Sequence, residues 1–436
     1  MAQFRTDTNK LDGANLITRF EVNMLSNRLT PSGTATDAFG RIRTSTPLTL
    51  FDSQHRYVDN NLWATSNTAG ATYAFANNQS LINMNVGTGS GQQVIRETKK
   101  VFAYQPGKSL LLMNTFVFNE AKPNLRQRVG YFNDSNGLFL EQSNSDIYFV
   151  KRSKTSGVVV DTKVAKANWN IDKFDGTGAS SQGPVGSEHT SGINLTKANI
   201  LWTDIEWLGV GDVRMGFVID GLMLPGHVFH NDNVNTLPYM STASLPLRYE
   251  ITNFGTTSSG STLKQICSSV MSEGGYELRG VQQSVGTVIT SPYTMSTAGT
   301  YYPIASIRLK AGRPDAIVIP TAVNILGKGN NTTVSWRILK GCSPTAGTWV
   351  SAGADSAVEY NITATGLTGG LIVASGFLGV AAQASQAIEI LKEALFRFQL
   401  ERDPFTGATT DITVACSGAS INDQAFASID WEEITR

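Results

Sequence analysis

The 436-residue chain balances 35 Lys plus Arg against 35 Asp plus Glu, and charged residues make up only 16% of it, against roughly 25% in ordinary soluble proteins. With no basic run to track phosphates, no nucleic-acid partner is expected; no stretch is apolar enough to span a bilayer, and the opening MAQFRTDTNKLDG lacks the apolar core of an export signal. The surface must be built from Ser, Thr, Asn, Gln and Gly, which suits a protein packed among neighbours or facing carbohydrate.

At this length two or three domains are expected, and 41 glycines supply turns for many short strands. Residues 1–45 mix Arg, Asn and Thr with scattered apolar residues and a turn-rich PSGTATDAFG at 31–40. Such a segment buries no core of its own. Phe4, Leu16, Ile17, Phe20 and Leu25 would be wasted on a free tail, which favours an extended arm laid against the next domain or another subunit.

Residues 46–280 predict a β-sandwich. LTLFDSQHRY at 48–57 enters it, and SLLLMNTFVFN at 109–119 is a nearly continuous apolar strand. Hairpins are predicted at 126–143, closed by Asn136-Gly137, and at 146–165, with Ser156-Gly157 near the turn. The stretch 201–230 gives the clearest pattern. Leu201, Thr203, Ile205 and Trp207 alternate with Trp202, Asp204 and Glu206, the period of a strand with one buried face. Gly209 and Gly211 permit a reversal into Val213, Met215, Phe217 and Ile219. Asp220-Gly221 then predicts a type I′ turn into a third strand. Strands at 245–255 and 261–275 complete the domain, and GTGASSQGPVGSEHTSG at 176–192 reads as a rim loop.

Residues 278–300 read as a link into a second β domain, 281–436, with strands at 304–310, 316–326, 332–340 and 411–418. AIEILKEALFRFQLER at 387–402 has helical spacing at Ile388, Leu391, Leu395 and Phe398. It predicts a short helix or turn about 391–394, then a strand from Leu395 to Arg402.

Little in the sequence carries chemistry. Cys267, Cys342 and Cys416 are far apart and have no metal-ligand spacing, so they read as small buried residues, with neither a disulfide framework nor a cofactor expected. His227 and His230 lie three apart, hence on opposite faces of a strand, and would share a metal only if Pro225-Gly226 bent it. NDSNG at 133–137 would put Phe132 and Ser143 at the first and last ligand positions of a calcium loop, where carboxylates are required, and GTGSG at 87–91 lacks the ending of a phosphate loop. Trp63, Trp169, Trp202 and Tyr239 read either as sugar-stacking surface or as core. Asp204 and Glu206, two apart on a strand, share a face, as paired glycosidase carboxylates must. TDIEW resembles the E-x-D-x-E strand of laminarinase-like glycosidases, but Trp202 replaces the first glutamate, which puts the mechanism in doubt.

DAFGRIRTSTPLTLFDSQ at 37–54, ILWTDIEWLGVGDVRMGFVIDG at 200–221 and LPLRYEITNFGTTSSGSTLKQICSSVMSEGG at 245–275 resemble segments of virion structural proteins of tailed bacteriophages. The resemblance covers residues 31–280 and, more loosely, the C-terminal domain. It implies an all-β protein: an N-terminal anchoring arm (1–45), a concanavalin-like sandwich (46–280) and a jelly-roll-like sandwich (281–436). It further implies a non-enzymatic virion component, either an appendage or a decoration protein, assembled in the host cytoplasm as a homo-oligomer. The arm, with Phe39, Arg41 and Arg43 in its best-defined stretch, would dock on other virion proteins. The alternatives are a host-glycan-binding module using Trp202, Asp204 and Glu206, and a glycoside hydrolase using Asp204 and Glu206.

Overall fold

A computed structural model describes residues 22–23, 28–29, 46–176, 192–275, 277, 279–328, 333–379, 386–389 and 398–435. Among them there is no α-helix, and antiparallel sheets carry the chain throughout, as the alternation predicts. Two sheets build the first sandwich. The seven-stranded one runs Val160–Ala165, Asp146–Ser153, Gly137–Ser143, Leu125–Phe132, Leu247–Asn253, Gln93–Thr98, Trp63–Asn67. The eight-stranded one runs Leu222–Phe229, Val213–Ile219, Asn199–Ile205, Leu110–Val117, Ser261–Ser272, Leu81–Val86, Ala71–Ala76, with Leu48–Gln54 also paired to Ser261–Ser272.

Alternation decides which face goes inward. Val129, Tyr131, Leu138, Leu140, Tyr249 and Ile251 from one sheet meet Leu112, Phe116, Leu201, Met215, Leu263 and Val270 from the other in a single core. The Asp220-Gly221 turn has φ of +51° and +78°, the left-handed pair a type I′ hairpin needs. One cation crosses this core. Arg96, fully buried, donates to Gln265 Oε1 of the facing sheet (2.6 Å), to Thr65 Oγ1 (2.7 Å) and to both oxygens of Asp59 (2.9 and 2.6 Å), so its charge is compensated where burial would otherwise be costly.

On the opposite face of the seven-stranded sheet, side chains of opposite charge form a chain across the strands. Lys163 meets Glu141 (2.6 Å), Glu141 meets Arg128 (2.6 Å), Arg128 meets Glu250 (3.3 Å) and Glu250 meets Arg248 (3.0 Å). Arg128 and Arg152 lie over the Phe139 ring, and Arg248 over Phe132. Burial alone would raise the Glu250 carboxyl, but Arg248, Arg128 and Arg126 hold it down at about 2.

The second sandwich pairs a five-stranded sheet, built on Ile317–Lys328 and the C-terminal Asp423–Thr435, with a six-stranded one running Val350–Ser351, Val358–Asn361, Tyr302–Leu309, Ile412–Gly418, Thr333–Thr345, Gly366–Gly379. Two sequence expectations change here. The stretch read as a link contributes the strands Val281–Gly286 and Tyr293–Met295, both paired to Asp423–Thr435. The strand expected from Leu395 to Arg402 is not there in its described part. Residues 398–401 have no strand pairing and Arg402 makes only an isolated bridge to Thr409, while Gln386–Glu389 is the strand in this region. The helix or turn at 391–394 lies outside the described residues.

Residues 399–402 instead join the two sandwiches. Gln399 Nε2 donates to Val101 O (3.2 Å) and Arg402 N to Lys99 O (3.3 Å). Arg402 also reaches Glu97 (3.4 Å) and Asp315 (2.6 Å), which extends the charge chain Glu250–Arg248–Glu97 into the second sandwich. Beside it Val101 and Ala103 pack with Ile317, Ile319 and Ile434.

Burial at these positions links stability to pH. Burial and Arg96 pull the His55 imidazole down to about 4, and burial, His230 and Lys151 do the same for His227. Each stabilises fully above the unfolded value near 6.5, and that contribution is lost as pH falls toward 4. Glu97 runs the other way: burial raises it to about 7 despite Arg248 and Arg402, so its contribution is complete below about 4.5 and lost as pH rises through 7. Two histidines against one carboxyl leave about one net proton taken up on unfolding between pH 6.5 and 4.5, on the order of 1.4 kcal/mol per pH unit. The Tm should therefore fall across that window. In His55→Gln/His227→Gln the fall should turn into a rise, since Glu97 alone then remains, and a persistent fall would show that other groups govern it.

Candidate functional site

At one end of the first sandwich, the hairpin Asn199–Ile205 and Val213–Ile219 and the start of Leu110–Val117 border a groove of about 410 Å³. Register places Asp204 opposite Arg214, and the guanidinium donates to the Asp204 carboxylate. Burial raises the Asp204 pKa, with Arg214 opposing. Glu206 lies one residue beyond the strand and is exposed. Its N–H donates to Asp212 O (3.1 Å), while Val210 and Gly211 donate to Trp207 O. Leu208 and Gly209 take positive φ, and a Cβ on Gly211 would lie 2.2 Å from Glu206 O, so a tight loop of this kind requires glycine there. This loop puts three carboxylates, Asp204, Glu206 and Asp212, on one groove with Lys108, Arg214 and Tyr104. Asp212 is also paired with His230 (3.0 Å), and Ser109 donates to Glu273 beneath.

The structure thus brings Asp204 and Glu206 together on the groove, but Trp202 does not join them. Trp202 is 4% exposed, packed opposite Gly216 with its indole N–H donated to Phe217 O (3.2 Å), and it has no free ring face for a sugar. The polar outer face predicted for this strand is likewise absent between 201 and 205, where all five residues are buried. Trp63, Trp169 and Tyr239 are core residues too. His227 accepts from Asn170 N (3.3 Å) while His230 faces Asp212, so the two rings serve different partners. Phe39, Arg41, Arg43 and most of the rim loop lie outside the described residues.

Lys108, Tyr104 and Asp212 escaped the sequence reading. Lys108 lies two residues before the strand that pairs with Asn199–Ile205, a neighbourhood set by register rather than by local spacing. Asp212, closing the loop after Gly211, carried the one local signal: a carboxylate two residues before a second strand residue, Arg214, that faces Asp204.

In chemical terms the groove offers acceptors on three carboxylates and donors on Lys108 and Arg214, a lining suited to the hydroxyls of a polyol. Asp204 is engaged by Arg214, and Trp202 stands where the glycosidase pattern has its first glutamate.

No protein-family model and no curated protein matches the chain. Solved structures similar to part of it include a carbohydrate esterase from Shiga toxin-encoding bacteriophage phi24B, at 11% identity and TM-score 0.32, covering 52% of this chain and 100% of that one. The CBM2 module of the evolved Dit of Lactobacillus casei BL23 phage J-1 has 8% identity and TM-score 0.33, covering 54% and 100%. A Bacteroides ovatus glycoside hydrolase of family 16 has 10% identity and TM-score 0.32, covering 51% and 98%. Likeness at this level leaves the chemistry of the groove to its own residues.

Proposed function

We propose that the protein is a structural component of a tailed-phage particle, and that its first sandwich binds a glycan without cleaving it. The convergence of Asp204, Glu206 and Asp212 with Lys108 and Arg214 on one open groove carries the binding reading. The engagement of Asp204 by Arg214 favours recognition over hydrolysis. The particle reading rests on the resemblance of residues 37–54, 200–221 and 245–275 to virion proteins, and the two interlocked sandwiches suit a load-bearing part.

Glu206→Gln and Asp212→Asn should each weaken glycan binding on an array by about tenfold, roughly 1.4 kcal/mol, while the melting curve stays in place because both side chains sit at the groove surface. A wild-type chain that binds no glycan on the array removes the binding reading. Hydrolysis of a bound polysaccharide that disappears in Glu206→Gln would replace it with the glycosidase. For the particle reading, peptides of this chain should appear in the mass spectrum of gradient-purified virions.

A further inference from the structure

Four carboxylates stand about the groove, Asp204, Glu206 and Asp212 on its lining and Glu273 beneath, against two cationic side chains, Lys108 and Arg214. Arg214 is spent on Asp204. Strand order places the rest. Leu110–Val117 lies between Asn199–Ile205 and Ser261–Ser272, so Lys108, two residues ahead of it, stands between Glu206 on one side and Glu273 on the other. Its stem packs over Gly274, where an added Cβ would lie 2.6 Å from Lys108 Cγ. Asp212 opens the strand on the far side of Asn199–Ile205, so Glu206 and Asp212 make one end of the groove acidic.

This end has acceptors to spare. Asp212 Oδ2 meets His230 Nδ1 (3.0 Å), but its Oδ1 is enclosed and has no hydrogen-bond donor. Glu206 is exposed and makes no ion pair among the described residues. The carboxylates also act on their neighbours. Glu273 and Glu206 add to the burial that raises Asp204 against Arg214, and Glu206 adds to the burial that raises Tyr104. An enclosed acceptor calls for a donor, and a cleft lined by an excess of one charge draws the other. An inorganic cation needs several ligands around one point, and among the described residues no three His, Cys, Asp or Glu side chains are so gathered. An ammonium needs less, since it brings three N–H donors on a single charge.

We propose that the glycan held in this groove carries a free amine, as an unacetylated hexosamine does, with its ammonium between Glu206 and Asp212 and its hydroxyls toward Lys108. The inference rests on the glycan reading and adds the charge of the ligand to it. N-acetylation would remove that charge and leave a single N–H donor, and a uronic acid would bring a further carboxylate to the acidic end.

On an array holding amino, N-acetylated, neutral and uronic oligosaccharides, the full chain should bind an amino member about tenfold more tightly than the same oligosaccharide after N-acetylation. Raising salt from about 50 mM to about 500 mM should shrink that ratio, because the groove is open to solvent. Glu206→Gln and Asp212→Asn should each bring the ratio toward one, whereas Lys108→Gln, which removes a cation, should widen it. Melting curves establish that each variant is folded. Equal affinity for the amino and acetylated forms, or a preference for neutral or uronic members, overturns the inference and leaves the glycan reading in place. So does a ratio that Glu206→Gln and Asp212→Asn do not move, or one that narrows in Lys108→Gln. Binding to no member overturns both.

Discussion

Arg402→Ala should destabilise the protein by about 3–5 kcal/mol and split its calorimetric unfolding into two transitions. Arg402 is the one side chain that ties Glu97 of the first sandwich to Asp315 of the second, and Glu97 is buried. Truncating it leaves the buried Glu97, already raised to about 7, with Arg248 as its remaining cation and removes the charge that bridges two cores. What is left across the junction is the small cluster of Val101, Ala103, Ile317 and Ile319, the Gln399 bond to Val101 O, the Lys100–Glu401 ion pair and a few main-chain bonds. Arg402→Lys keeps the charge without the fork and should recover part of the loss. A single transition within about 2 °C of the wild-type midpoint would mean that the apolar cluster alone couples the sandwiches.

Trp202→Ala should cost a similar amount, about 3–5 kcal/mol, and should do so whether or not glycan is present. The indole is buried and its N–H is satisfied by Phe217 O, so removing it leaves a cavity and takes away that hydrogen bond. Chemical denaturation would register the loss. A stable Trp202→Ala that loses only glycan binding would place the ring at the ligand after all, contrary to its packing.

These two residues mark where the sequence was legible. Period-two alternation and turn chemistry identify the hairpins at 126–143 and 146–165 and the three strands from 199 to 229, because each strand's partner is its neighbour in sequence and each turn declares its φ. Arg402 was misread because its partners stand far back in the chain, at Glu97 and Lys99, and segments held by such partners follow no local period. Trp202 was misread for a related reason. Alternation assigns it to an outer face, but a residue opposite Gly216 has room to lie down and become covered. Of the groove, Asp204 and Glu206 were visible as a pair, whereas Lys108 and Tyr104 arrive through strand register that no single stretch encodes.

The pairing of Leu48–Gln54 with Ser261–Ser272 sets a timetable for synthesis. The first strand of the sandwich leaves the ribosome long before its mate exists, so its open edge must wait while some two hundred residues are added. At about 5–20 residues per second this wait lasts on the order of ten seconds or more. Glu97 waits longer still, since Arg402 is made after most of the second sandwich. A nascent chain with residues 46–280 clear of the ribosome could close the first sandwich while Glu97 holds Arg248 but still lacks Arg402.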